Sequence, residues 1–584
     1  MWCVPLSYAG QTSHFMWRGV LAKLMQNINA LRATLFWEVI MEKLELESAN
    51  RTYLKWPVVA LMDFVTVIGF DDIIYNFQNQ GLGVVTSWVV MLFIYVLPYS
   101  LMVGHLGSVF SAEGGGLSSW VRGTSGDKVG YFAAWFYWVV GLPYIVDVAN
   151  SVVIAFGWLL RGNGNIDAYM SKAMFGILTT VVFVGFIFFE HLFKNKSLAI
   201  MSVIGGSAMF IMTVLFVIMT VVALTTGSHI ATQPFTFKAF IPKIDGHFFT
   251  TLGLLIFAMN GSELAAPYVT DMKNPRKDFP KAMMMIAIMT IFLTVFGSFS
   301  LGVFFNAHHL PNDLKMNGSY YAFLALGRQF GWGKILMYVF AITQAIYMCA
   351  QLAVLLDAGT RVFLGDISKK YMPKQLSKLT ADGLPINGYW MTTAICAVIM
   401  FLGGLLPQIN DIFNWLLNLN GIVSPFATCF LFWAFMMVRL HSDRYPKPAY
   451  TYIKNDRAGF LVGLWMLAIT FFSAFAAFFP TDAKPGTIMW TDSLIMNVVV
   501  TLGLCAIGLV MPIIARRQRE NAGNAFTGSQ WALNTVLMVI AVASGYWISR
   551  LHSMDVLLRL LLILLVIAIF SLALRLIYRR PTSA

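Results

Sequence analysis

The chain has 584 residues, 58% hydrophobic and only 11% charged, with a mean hydropathy of +0.71. A soluble domain averages about 25% charged residues, so this length and composition exclude the soluble globular class. The net charge of +13 does not mark a nucleic-acid partner, because the basic residues sit in short connections between apolar runs. Apolar runs of about 18 residues or more recur from about residue 57 onward, the pattern of a polytopic helical protein in a lipid bilayer.

Residues 1–56 read as an N-terminal segment on the cytoplasmic side. Residues 1–40 hold no long apolar run and no small-residue cleavage site, which argues against a signal peptide. Trp37-Glu38-Val39-Ile40 can be encoded by a purine-rich bacterial ribosome-binding sequence just ahead of Met41. Met41 then opens a polar leader containing Glu42, Lys43, Glu45 and Glu47, so Met1 and Met41 stand as alternative starts.

Fourteen spans follow, at 57–77, 84–110, 131–160, 173–190, 199–225, 249–269, 282–305, 333–357, 389–405, 412–438, 460–479, 492–513, 531–548 and 556–577. They divide into a twelve-span core, 57–513, and a C-terminal extension, 514–584, with two further spans. From residue 41 onward, 27 Lys and Arg fall in the connections on one side and 10 on the other. The positive-inside rule therefore places both termini in the cytoplasm of a multi-pass protein of the cytoplasmic membrane.

Two spans are interrupted. Span 1 reads Gly69-Phe70-Asp71-Asp72 in its middle, and span 6 reads Asn260-Gly261-Ser262-Glu263. Carboxylates at bilayer depth cost several kcal/mol unless they face a protein cavity, and glycine lets the backbone leave the helix. Matching breaks in the two halves predict a substrate site built from discontinuous helices. Unpaired N–H groups at the start of each second half-helix favour an anion such as a carboxylate. Unpaired carbonyls at the end of each first half favour a cation or an ammonium. A zwitterionic amino acid suits such a break.

Three readings are open for Asp71 and Asp72. Close carboxylates cannot both be charged cheaply, so one carries a coupling proton, or one pairs with a substrate amine, or one caps the second half-helix. Glu263 either locks the break in span 6 or carries a proton. Asp147, well inside span 3, adds to an acidic cavity or pairs elsewhere. Asp63 and Glu190 lie nearer span ends and read as solvated or capping residues. Gln344, Tyr347 and Gln351 recur on one face of span 8, and Asn414, Asn418 and Ser424 recur in span 10. Each stripe lines a cavity or bonds between helices. Five cysteines show no metal or disulfide spacing, and no cofactor or metal is expected.

The connections carry a resemblance. Glu113-Gly114-Gly115-Gly116 follows span 2, Asn274-Pro275-Arg276-Lys277 follows span 6, and Gly359-Thr360-Arg361, Met372-Pro373-Lys374 and Gly383-Leu384-Pro385 follow span 8. Their order and spacing resemble the amino acid–polyamine–organocation superfamily, most closely the bacterial glutamate:GABA antiporter group, over about residues 57–513. The chain departs from the usual pattern at Leu117, in the last two spans, and in lacking a lysine within span 5. The resemblance implies a 5+5 inverted repeat with helices 1 and 6 unwound.

The expected activity is secondary active transport of amino acids by alternating access, proton-coupled or as amino acid/amine exchange. Transport of a polyamine or another organic cation is the alternative. A channel or a membrane-embedded enzyme is disfavoured by the absence of a repeated pore signature, a zinc motif or a nucleophile elbow. With Asp71, Asp72, Asp147 and Glu263 gathered at one cavity, neutral or cationic amino acids are the expected substrates, an anionic side chain being disfavoured unless protonated.

Overall fold

The computed structural model describes residues 53–577, except 115, 228–229, 312, 365–369, 379–385, 404–408, 481–483, 521–525, 550 and 552–555. The N-terminal segment up to residue 52, with both alternative starts, lies outside the described residues, as does the Glu190 side chain. The described residues are overwhelmingly helical and form no β-strand. This follows from the solvent: a lipid-embedded backbone must satisfy its own N–H and C=O groups within each segment.

Eight helices among the described residues are long and apolar enough to cross a membrane. These are Gly83–Val109, Leu117–Arg161, Leu198–Thr225, Gly246–Asp271, Pro275–Phe304, Ile335–Leu364, Leu416–Leu440 and Asp456–Ala476, corresponding to spans 2, 3, 5, 6, 7, 8, 10 and 11. Span 1 is shorter because it is divided. Lys172–Phe186 occupies the place of span 4. Ile386–Gly403, Ile488–Ile507, Gly528–Ser549 and Val556–Ile577 stand at spans 9, 12, 13 and 14. The helix containing span 3 is interrupted at Gly126, where φ is +83°, so Leu117 to Ser125 precedes the span proper.

Span 1 comprises Trp56–Val67 and Phe70–Gln80, with Ile68 and Gly69 extended between them. Span 6 comprises the α-helix Gly246–Phe257 and the 3₁₀ segment Ser262–Asp271, joined through Gly261 at φ +124°. Both breaks fall where the acidic glycine motifs predict them. The second span of each half also carries a five-residue π-helical turn, Leu92–Val96 in span 2 and Phe292–Phe296 in span 7. Such turns redirect the side chains that follow, and here they sit at related places in the two halves. Trp88 Nε1 of span 2 donates to Ser298 Oγ of span 7 at 3.0 Å, joining the two helices.

Spans 1, 2, 6 and 7 pack together, while span 3 packs against spans 8 and 10. The breaks lie between these two groups. Spans 13 and 14 pack on each other, and span 14 reaches span 12. There the buried Arg559 pairs with Asp492 at 3.1 Å. Neither of the last two spans supplies a residue to the region around the breaks. Deleting residues 549–584, which removes span 14 and with it the Arg559–Asp492 pair, should therefore leave transport per folded molecule unchanged while lowering membrane abundance. Quantitative blotting beside vesicle uptake checks this, and loss of uptake by well-folded truncated protein would contradict it.

Candidate substrate site

The backbone groups at the first break have partners. Asp72, third residue of the second half-helix, accepts the Gly69 N–H on Oδ2 at 2.8 Å. This is the return arm of a capping box, so of the readings open for the pair the cap describes Asp72. Asp71 lies one residue earlier, about 100° away around the helix. Its Oδ1 has no hydrogen-bond partner, while Gln344 of span 8 is its side-chain hydrogen-bonding neighbour. On the other side of the break, the Tyr347 hydroxyl of span 8 lies 2.8 Å from the Ile68 carbonyl and 3.3 Å from that of Phe64. A neutral hydroxyl thus occupies the carbonyls that would otherwise attract a cation.

The second break is held by span 2 and span 10. Tyr95, within the π turn, donates to Asn260 Oδ1 at 2.7 Å, and Asn260 Nδ2 donates to Thr428 at 2.9 Å. One turn on, Tyr99 accepts the Gly261 N–H at 2.9 Å and donates to Glu263 Oε2. Tyr95 and Tyr99 stack with centroids 5.8 Å apart. Glu263 is buried and locks the break in this conformation.

The two breaks touch. A Cβ on Gly261 would stand 3.3 Å from the Thr66 carbonyl oxygen and 3.3 Å from Val67 Cα. Positive φ and backbone contact together require glycine there. One cavity joins the breaks, lined by Thr66, Val67 and Asp72 of span 1 and by Asn260, Gly261, Glu263 and Leu264 of span 6. Spans 3, 8 and 10 complete its wall through Tyr137, Tyr144, Leu356, Gly359 and Ser424. With its mouth, the space is about 740 Å³. The apolar cluster Tyr75, Leu254, Phe257 and Leu417, with Tyr144 against it, adjoins this cavity through Phe257 and Tyr144, which also line it. Tyr75 there donates to Asn418 at 2.9 Å.

Asp72, Asn260, Gly261 and Glu263 line this cavity. Gly69, Phe70, Asp71, Ser262, Gln344 and Asp147 do not. Phe70 instead packs among Phe216, Phe323 and Phe340, with centroids 5.2 to 5.8 Å away. Asp147 pairs with Lys315 at 3.6 Å. Lys315 comes from helix Leu314–Gln329 between spans 7 and 8, is buried, and lies over the Tyr75 ring. Asp71 and Asp72 are charged neighbours of this same ammonium. No sequence signal marks Lys315, which reads as one more basic residue in a connection. Tyr95 and Tyr99 do leave a trace, at the i, i+4 spacing of one helix face. Tyr347 and Gln351, which donates to Tyr144 at 2.7 Å, bond between helices. The Asn414 side chain is outside the described residues.

Asp63 requires a correction. It is 1% exposed, inside the first half of span 1, and is neither solvated nor a cap. Its position near the predicted span end is misleading because Trp56–Val67 is a half-helix whose last two turns are already at the depth of the break.

Two broken helices crossing at a glycine and enclosing a buried cavity are the frame of an alternating-access carrier. The amino acid permease family profile matches residues 54–505. This chain belongs to the amino acid permease family. It is 37% identical to the aspartate/glutamate permease AcaP of Lactococcus lactis subsp. cremoris (strain MG1363), over 80% of this chain and 96% of that protein. It is 25% identical to the probable agmatine/putrescine antiporter AguD of Lactococcus lactis subsp. lactis (strain IL1403), over 62% and 74%. The glutamate/gamma-aminobutyrate antiporter of that same strain is 21% identical, over 74% and 84%. The permease is thus a membrane transporter of amino acids, not an enzyme, as its sequence predicts.

Two outcomes follow for the permease. Gly261→Leu should abolish uptake while the protein still reaches the membrane, because a branched side chain strains φ +124° and strikes Thr66 and Val67; normal uptake by this variant would remove the crossing from the site. Tyr347→Phe strips a donor from two buried carbonyls and should lower stability by about 1–3 kcal/mol. Thermal unfolding of the detergent-solubilised protein measures it.

Proposed function

We propose that the permease carries amino acids across the cytoplasmic membrane by alternating access, coupled to protons, with dicarboxylic amino acids as its favoured substrates. Residues 57–513 form the transport core, both termini face the cytoplasm, and the lipid bilayer surrounds the spans. The observation that carries this reading is the single cavity shared by both breaks, which offers half-helix ends to a substrate's α-amino and α-carboxylate groups.

In the described conformation the permease's own carboxylates serve the starts of both second half-helices. Asp72 takes the Gly69 N–H, and Glu263 faces the N–H groups of Gly261 and its own residue. A proton on either carboxylate weakens that self-contact and leaves backbone donors for a substrate carboxylate. Proton binding and substrate binding then favour one another, which is coupling in the thermodynamic sense. Asp71, Asp72, Asp147 and Glu263 are the candidate proton carriers. Gly69, Phe70, Ser262 and Gln344 shape or support the substrate site.

The sequence-based expectation of neutral or cationic amino acids rests on four carboxylates with no nearby cation. Lys315 removes that premise by placing an ammonium beside Asp71, Asp72 and Asp147. A substrate side-chain carboxylate meets less repulsion there, and an accompanying proton offsets the rest. The similarity to a permease named for aspartate and glutamate supports the same class. Amino acid/amine exchange is the second reading, favoured by the relatives named as antiporters.

Reconstituted vesicles test this directly. Aspartate, glutamate, serine, γ-aminobutyrate and putrescine are offered in turn, with and without an acidic exterior. Saturable aspartate or glutamate uptake, raised by the acidic exterior, is expected. Uptake that requires preloaded amine supports exchange instead, and uptake of neutral amino acids or putrescine alone overturns the dicarboxylate assignment.

A further inference from the structure

The residues lining the cavity do not include Asp63, yet Asp63 is buried on the same half-helix as Thr66 and Val67, which do line it. Thr66, one turn on, lines the cavity, and its hydroxyl donates to the Asp63 backbone carbonyl at 2.8 Å rather than to the carboxylate. Neither Asp63 oxygen has a hydrogen bond of good geometry, although the Ala265 N–H faces the group. The charge acting on it is Glu263, which lines the cavity from the second half of span 6. Tyr137 of span 3 also lines the cavity and feels the Asp63 charge. The other ionisable groups packed around the same half-helix are committed. Tyr347 of span 8 is held on the Phe64 and Ile68 carbonyls, and Tyr99 of span 2 on Glu263.

Two carboxyl groups, 1% and 2% exposed, thus lie on two half-helices that pack against each other, with both Asp63 oxygens unpartnered. A buried carboxylate with so few donors is costly when charged, and a second carboxylate nearby makes it more so. Both half-helices belong to the broken spans whose relative movement opens and closes such a site.

Resting on the transport reading above, we propose that Asp63 is a proton-binding site of the transport cycle, placed at the seam of spans 1 and 6 that also buries Glu263. With the proton bound, one carboxyl is neutral and the half-helices Trp56–Val67 and Ser262–Asp271 pack closely, as they do here. When water reaches the seam the proton leaves to it, two carboxylates remain, and their repulsion together with hydration favours separation. The proton is taken up on one side of the membrane and given to water on the other, with no other reactant. Asp63 acts through the packing of the helices and does not touch substrate.

The test compares Asp63→Asn with the unaltered protein in vesicles. Counterflow at equal pH on both sides reads the substrate site. Accumulation driven by a pH gradient, together with proton movement followed by an entrapped dye, reads coupling. The variant should keep counterflow, lose accumulation above equilibrium, and lose substrate-dependent proton movement. Gradient-driven accumulation equal to that of the unaltered protein would overturn the proposal. If Asp63→Asn is not recovered in the membrane, Asp63→Glu decides. It should retain accumulation with a displaced pH profile, and a Glu variant that performs counterflow without proton movement would overturn the assignment. Absence of counterflow by the unaltered protein would instead strike the transport reading itself.

Discussion

The contact of Gly261 with the Thr66–Val67 backbone is the constraint on which the site depends. Two half-helices approach until a single added carbon would meet a carbonyl oxygen at 3.3 Å. No side chain can sit between them, so the two chain breaks lie against each other and share one cavity. The same closeness explains why both breaks are buried and why their polar groups must be satisfied by neighbours rather than by water.

Those neighbours come from particular helices. Span 8 supplies Tyr347 to the carbonyl end of the first half of span 1, and span 2 supplies Tyr95 and Tyr99 to span 6. The π turn at Leu92–Val96 sets the direction in which Tyr95 and Tyr99 emerge. Tyr347 and Tyr99 meet backbone groups that an ion or substrate would otherwise meet, while Tyr95 holds the Asn260 side chain. The permease therefore holds its broken helices by hydrogen bonds that are individually weak, of about 1 kcal/mol net, and that are compatible with exchange during a transport cycle.

Charge is distributed in layers around the crossing. Lys315 and Asp147 pair on the side sealed by Tyr75, Phe257 and Leu417. Asp71 and Asp72 lie at the break itself, and Glu263 with Asp63 lies toward the opposite side.

The sequence by itself determined the membrane class, the eight long apolar helices found among the described residues and the places where spans 1 and 6 break. Each rests on local physics: apolar length against bilayer thickness, and glycine beside a carboxylate in an otherwise apolar run. It also left Asp72 open between cap and site, and Asp72 to Gly69 is a contact only three residues long. What joins distant parts was decided by tertiary structure alone. Lys315 lies 168 positions from Asp147, and nothing near either residue in sequence foretells their pairing. Asp63 read as a residue near a span end because sequence distance along a helix measures depth only when the helix is unbroken. Phe70 adjoins the break in sequence but packs outward among Phe216, Phe323 and Phe340, since helix rotation at the break, invisible to composition, decides which side faces the cavity.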